Sequence, residues 1–169
     1  MHTPVVATGE PDARVMVLRA FDQEKWQFRF HSDARSPKIM ALAKDPAVAV
    51  LFYDADAKVQ IRVQGSARSE VTSAEADQAW AAASNFARRC YLVENAPGTK
   101  TASAASGLPA DIEGQQPDDA DLIPARENFA IILIDIESMD WLYLANDGHR
   151  RAQFTRDDDG AWQGSFVIP

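Results

Sequence analysis

Along this chain the apolar residues mostly recur at every second position, in short runs. Trp26, Phe28 and Phe30 alternate with Gln27, Arg29 and His31, the period of a strand with one buried face. The run Arg14–Phe21 precedes it, and the polar tetrad Asp22-Gln23-Glu24-Lys25 between the two predicts a hairpin. Ala47–Tyr53 is nearly all apolar, which predicts a strand buried on both faces. Lys58–Val71 alternates over a longer span, and Gly65 inside it predicts a bulge or a sharp bend. Phe129–Ile136, Met139–Leu144, Ala152–Arg156 and Ala161–Ile168 predict four more strands. Turns are expected at Asn146-Asp147-Gly148 and Asp157-Asp158-Asp159-Gly160.

Two segments switch to helical spacing. Ser36-Pro37 reads as an N-cap followed by proline at the first helical position, opening an amphipathic helix through Ile39, Met40, Leu42 and Ala43. Thr72 and Glu75 form a capping box for a helix over Ser73–Arg89, with Ala76, Ala79, Trp80, Ala83, Phe86 and Ala87 on its apolar face. From Asn95 to Pro124 prolines and glycines stand among small and acidic residues, a loop long enough to be either functional or mobile. Six to eight strands linked mainly by hairpins, with one short and one long helix, predict a mainly β protein. The expected architecture is an antiparallel barrel with helical insertions, in a single domain over residues 1–169.

A chain of 169 residues with 46% hydrophobic content can bury a real core. The net charge of −8 is uneven: residues 1–70 carry 10 Lys/Arg against 9 Asp/Glu, residues 71–169 carry 7 against 16. That balance speaks against nucleic acid and against an anionic membrane as partners. No run approaches the roughly 20 apolar residues of a membrane span, and Met1–Ala13 lacks the features of a secretion signal. The single Cys90 excludes an internal disulfide and fits a reducing cytoplasm; it is expected as a buried residue at a helix end. His2, His31 and His149 are scattered, so no metal site is expected. Dinucleotide, Walker and nucleophile-elbow motifs are absent, so redox chemistry in this chain would need a bound cofactor.

The start of the first helix holds the candidate chemistry. Lys38 falls in its first turn with Arg35 just before it, at the positive end of the helix dipole. That costs about 0.3–1 kcal/mol unless an anion is bound there. Free N–H groups, the Ser36 hydroxyl and nearby cations make a phosphate site.

The order of these pieces resembles the pyridoxamine 5′-phosphate oxidase-like family of FMN-binding split barrels. The resemblance runs from Arg14-Val15-Met16-Val17-Leu18-Arg19, through Phe30-His31-Ser32 and Ser36-Pro37-Lys38, to Gln60-Ile61-Arg62-Val63-Gln64-Gly65. It resumes at Ile136–Trp141, His149-Arg150 and Trp162–Pro169. It implies a split β-barrel, an FMN cofactor, and a homodimer with FMN at the subunit interface. By the same resemblance the flavin contacts are Arg14, Val15, Met16, Val17, Arg19, His31, Ser32, Ser36, Lys38 and Gln60, with Trp141 and Arg151 among the residues delivered by the neighbouring chain. Arg14 would hold the flavin phosphate, Gln60 the edge of the ring system, and Trp141 would lie against the flavin. Pro37 replaces a family arginine, for which Arg35 stands near enough to compensate. Gln153 stands where the family has another arginine, with Arg150 or Arg151 to cover it.

The substrate side departs from the family. Pyridoxamine-phosphate oxidases hold their substrate phosphate with a Tyr, an Arg and a Ser spaced four apart, where this chain has Trp80, Ser84 and Arg88. Only 13 residues precede Arg14, so the covering N-terminal extension is not expected. The resemblance therefore implies hydride transfer to FMN from a small substrate other than the vitamin, with no catalytic residue assigned. A non-catalytic flavin carrier or sensor, or a split barrel using deazaflavin or haem, stands as the alternative.

Overall fold

The structure is a computed structural model that describes residues 1–9 and 12–169. Nine strands among the described residues form one sheet, in the order β2-β1-β5-β6-β7-β4-β3, with β8 on β7 and β9 on β8. They are β1 (Val5–Thr8), β2 (Asp12–Val15), β3 (Leu18–Asp22), β4 (Gln27–Asp33), β5 (Ala47–Asp54), β6 (Val59–Glu70), β7 (Phe129–Tyr143), β8 (Arg150–Arg156) and β9 (Trp162–Val167). Pairs β1–β2, β1–β5, β3–β4, β5–β6, β7–β8 and β8–β9 are antiparallel. The helical insertions are α1 (Pro37–Lys44), α2 (Ala74–Ala82) and α3 (Asn85–Arg88), with 3-10 turns at Arg89–Tyr91 and Ile123–Asn128. This is the mainly β architecture with helical insertions expected of a split barrel. No helix among the described residues is long and apolar enough to cross a membrane.

The nine strands differ from the six to eight predicted in three places. Val5–Thr8 is an unpredicted strand. The run Arg14–Phe21 is divided at Met16-Val17, where Met16 N–H donates to Pro4 O at 3.0 Å and Leu18 N–H to His2 O at 2.8 Å. Phe129–Ile136 and Met139–Leu144 fuse into β7, because Ser138 at the junction is held in the ladder opposite Thr155.

The chain divides into two compact units, one of residues 1–30, 41–68 and 133–169, the other of residues 31–40 and 69–132. The first holds most of the paired sheet. Within the single chain its β5 buries one face, not the two expected: Val48, Val50 and Phe52 are buried, while Ala47, Ala49, Leu51 and Tyr53 are exposed. Phe52 meets Phe28 with ring centroids 5.4 Å apart. Gly65 is a point of close approach, with no bulge against β5. The β5–β6 register runs unbroken through Val48↔Gly65, and a Cβ at residue 65 would stand 2.0 Å from the Asp135 carbonyl oxygen.

The second unit corrects the long helix. Ser73, not Thr72, is the N-cap, its side chain accepting from Ala76 N–H at 3.1 Å, and α2 stops at Ala82. Ser84 then caps α3 by accepting from Ala87 N–H at 3.3 Å. A serine able to bond the backbone two or three residues on competes with helix continuation. Ala76 and Ala79 are buried as expected, but Phe86 is exposed beneath the Arg89 guanidinium. Cys90 is exposed, against the expectation of a buried thiol. In the 95–124 segment Ile112 and Leu122 are buried.

Candidate functional site

In the second unit, the end of β4 and the start of α1 build a cationic cradle. Strand alternation turns Ser32 inward while leaving His31 and Asp33 half-buried. Ser36 N–H then donates to Asp33 O at 3.0 Å, turning the chain into α1 with Pro37 as its first residue. Lys38 Nζ donates to Ser36 Oγ at 2.6 Å and to Ser32 Oγ at 3.3 Å. Both serines are buried, with 5% and 2% exposure. Ser32 Oγ donates in turn to Asp33 O at 3.2 Å. The first turn of α1 contains no acidic residue, so an ammonium group stands beside the helix N-terminus. Two hydroxyls and a primary ammonium group at that position are a donor set suited to a phosphate.

Arg35, expected to stand in for the arginine that Pro37 replaces, is engaged by protein partners in this chain. Its guanidinium binds Asp33 side-on at 3.0 and 2.7 Å and reaches the carbonyls of Val93 at 2.9 Å and Glu94 at 3.3 Å. The neighbouring carboxylate pushes the Arg35 pKa further up. It is a tie for the 93–94 backbone. His31 packs edge-on against Phe129, ring centroids 4.9 Å apart.

In the first unit, Arg14 is half-buried, bonded to the Asp12 carboxylate and to Thr8 Oγ1 at 3.2 Å. The residues after it alternate: Val15 and Val17 are exposed, Met16 half-buried. Arg19 is exposed and sits where the β3–β4 register shifts between Leu18 and Ala20. Arg14 on β2 and Arg19 on β3 thus stand on separate strands, divided at Met16-Val17. Gln60 is half-buried on β6 opposite Tyr53. Trp141 stacks on Tyr143 two residues on, ring centroids 6.4 Å apart and planes 17° apart.

Arg151 belongs to a cluster that sequence reading missed. Asp140, only 9% exposed, accepts from Arg151 Nη2 at 2.6 Å and from its Nε at 3.1 Å. It also accepts from Arg62 Nη2 at 2.7 Å and from Gln153 Nε2 at 3.0 Å. These donors, Arg151 first, hold the Asp140 carboxyl far below the usual carboxylate range of about 3.8. Arg150 instead donates to the carbonyls of Gly148 at 2.7 Å and His149 at 3.0 Å, so Arg151 is the arginine that shares a partner with Gln153. The signal was legible in principle: an aspartate between Met139 and Trp141 in a largely apolar strand needs a buried partner. Arg62, Gln64, Ser138, Asp140 and Gln153 line a cleft of about 520 Å³ that Val5 and Leu51 help wall.

Residues 3–70 match the family described as pyridoxamine 5′-phosphate oxidase, FMN-binding domain. The pyridoxine/pyridoxamine 5′-phosphate oxidase of Hyphomonas neptunium is 30% identical over 169 residues, covering 98% of this chain and 74% of that one. Among solved structures, a pyridoxamine 5′-phosphate oxidase-related, FMN-binding protein of Nostoc punctiforme superposes with a TM-score of 0.80 at 23% identity. That match covers 99% of this chain and 88% of the other. PhzG of Burkholderia lata, solved with tetrahydrophenazine-1-carboxylic acid, gives 0.68 at 17% identity over 99% and 81%. These two likenesses establish a common fold, and with the Hyphomonas relative they show that the chain belongs to the pyridoxamine 5′-phosphate oxidase-like family of FMN-binding split barrels.

Proposed function

We propose that this protein is an FMN-dependent oxidoreductase, working as a homodimer with flavin at the subunit interface, on a small substrate other than pyridoxamine 5′-phosphate. The observation that carries the flavin reading is the Lys38 ammonium held by the buried hydroxyls of Ser32 and Ser36 at the start of α1. This donor set fits the phosphate end of FMN, and no dinucleotide fingerprint accompanies it. Bound FMN supplies a two-electron acceptor for a substrate hydride. The chain's part is to bind and orient: Lys38, Ser32 and Ser36 would anchor the phosphate, and Arg151 would bring a guanidinium to the flavin of the partner subunit. A homodimer is supported by apolar residues on the outward side of the first unit: Leu51 and Tyr53 on β5, Val15 and Val17 around the β2–β3 break.

The substrate reading rests on Trp80, Ser84 and Arg88. Ser84 is the N-cap of α3. Arg88 donates to the carbonyls of Trp80 at 2.8 Å and Ala81 at 2.7 Å, closing the end of α2, and lies 5.3 Å over the Trp80 ring. All three serve the helix junction. A phosphate of nearly −2 charge needs convergent cations, and this junction holds its arginine to backbone carbonyls and, at 3.5 Å, to the Asp119 carboxylate. Purified protein should therefore be yellow and release FMN, identified by mass spectrometry, and anaerobic mixing with candidate donors should bleach it. FAD in the eluate, or turnover of pyridoxamine 5′-phosphate at rates normal for its oxidases, would overturn the corresponding half of the proposal.

A further inference from the structure

Asp140 and Gln153 stand opposite each other in the β7–β8 ladder, and Arg151 opposite Leu142. Strand alternation puts Asp140, Gln153 and Arg151 on one face, with Trp141 and Ala152 on the other, so of the two residues expected at the partner's flavin only Arg151 shares the Asp140 face. A carboxylate with 9% exposure carries a large desolvation cost unless it is well paired. Here it gathers two guanidinium groups and an amide. One arginine is enough to neutralise it; the second leaves the cluster with a net positive charge. The two arginines also differ in how they are held. Arg62 gives a single N–H, from Nη2, and its side chain is 52% exposed. Arg151 gives both Nε and Nη2, and its side chain is 26% exposed. A guanidinium has five N–H donors in a rigid plane. Holding it along the Nε–Nη2 edge fixes that plane and turns the remaining fork, Nη1 with the second Nη2 proton, away from the carboxylate.

We infer that Asp140 is a positioning residue: it holds Arg151 side-on, so that the guanidinium presents its free fork to the flavin. This rests on the flavin reading above and adds a residue that touches no cofactor itself. A carboxylate acting only through its charge would have the opposite effect on an anionic ligand, since removing it leaves both arginines uncompensated and draws the anion in.

The test is fluorescence titration of the apoprotein with FMN, in the wild type, Asp140→Asn, Asp140→Glu, Arg151→Ala and the Asp140→Asn/Arg151→Ala pair, with thermal unfolding of each apoprotein alongside. Arg151→Ala and Asp140→Asn should each weaken FMN binding by about tenfold or more, and the double variant should bind no worse than Arg151→Ala alone. Asp140→Glu keeps the charge but carries the carboxylate one methylene further out. Positioning predicts an affinity between wild type and Asp140→Asn, whereas action by charge alone predicts wild-type affinity. Unchanged or tighter binding in Asp140→Asn, wild-type binding in Asp140→Glu, or additive losses in the double variant would each overturn the inference while leaving the flavin reading intact. Should Asp140→Asn fail to fold, the Asp140→Glu result decides. A wild-type protein that binds no FMN sinks the flavin reading, and this inference with it.

Discussion

Replacing Lys38 with alanine tests the phosphate cradle most directly, because its effects on the empty protein and on flavin binding differ in size. In the empty protein the substitution removes an ammonium donor 2.6 Å from Ser36 Oγ and 3.3 Å from Ser32 Oγ. Leaving a buried hydroxyl unpaired costs about 1–3 kcal/mol. Ser32 already donates to Asp33 O, and a hydroxyl can rotate, so the cost falls at the low end. Taking a cation away from a helix N-terminus returns about 0.3–1 kcal/mol. From these two contributions alone the loss of stability comes to about 1 kcal/mol or less. Flavin binding has no such offset. A charge-assisted hydrogen bond to a phosphate is worth about 1.5–3 kcal/mol, so FMN affinity should fall about 10- to 150-fold. Titration of apoprotein by flavin fluorescence reads the affinity, and urea denaturation reads the stability. The wild-type advantage should shrink at high salt, since screening weakens the phosphate contact. Unchanged FMN affinity in Lys38→Ala, with the fold intact, would refute the cradle and leave Lys38 as a structural partner of two serines.

Gly65→Ala places a methyl group 2.0 Å from a backbone oxygen that no rotamer change can move. It should cost about 3 kcal/mol or more, and a denaturation midpoint within error of wild type would show that the two backbones can part freely. Asp140→Asn should reveal the depressed carboxyl pKa through pH. A carboxyl whose pKa is lower in the folded state contributes stability that is complete above its unfolded value near 3.8 and is lost as pH falls through that value toward the folded one. The gap in melting temperature between wild type and variant should hold steady above about pH 5 and narrow below about pH 4; a gap independent of pH would show that the arginines do not stabilise the ionised form. Light scattering of the flavin-loaded protein should give twice the 18.6 kDa chain mass, and an FMN-bound monomer would rule out a site shared between subunits.

Much of this molecule is local chemistry, and local chemistry is readable from residues a few positions apart. The β3–β4 hairpin follows from Asp22, whose carboxylate accepts from Glu24 N–H and Lys25 N–H at 3.0 Å each. The β8–β9 turn follows from Asp157, which binds Ala161 N–H at 2.8 Å. Alternation in β4, proline at the first position of α1 and the glycine turns all express torsional preferences and hydrogen bonds within a few residues. The order of the Arg14, Ser36-Lys38, Gln60 and Trp141 segments was sufficient to point to the family. Ser32, Ser36 and Lys38 also come together, because strand end, turn and helix start are contiguous.

The tertiary structure decided whatever depends on partners distant in the chain. An apolar run such as Ala47–Tyr53 does not say which of its faces is covered; neighbouring strands bury Val48, Val50 and Phe52 and leave Leu51 and Tyr53 outside. Arg35 and Lys38 are two cations three residues apart, yet one is taken by Asp33 and the 93–94 carbonyls and the other by the two serines. Thr72 and Ser73 are both N-cap residues by type, and the folded chain uses Ser73 and then a second start at Ser84. Gly65 is required by the passage of Asp135, seventy residues later, and Asp140 finds Arg62 across a separation of 78. A side chain's chemistry states what it needs; only the folded chain determines which neighbour meets that need.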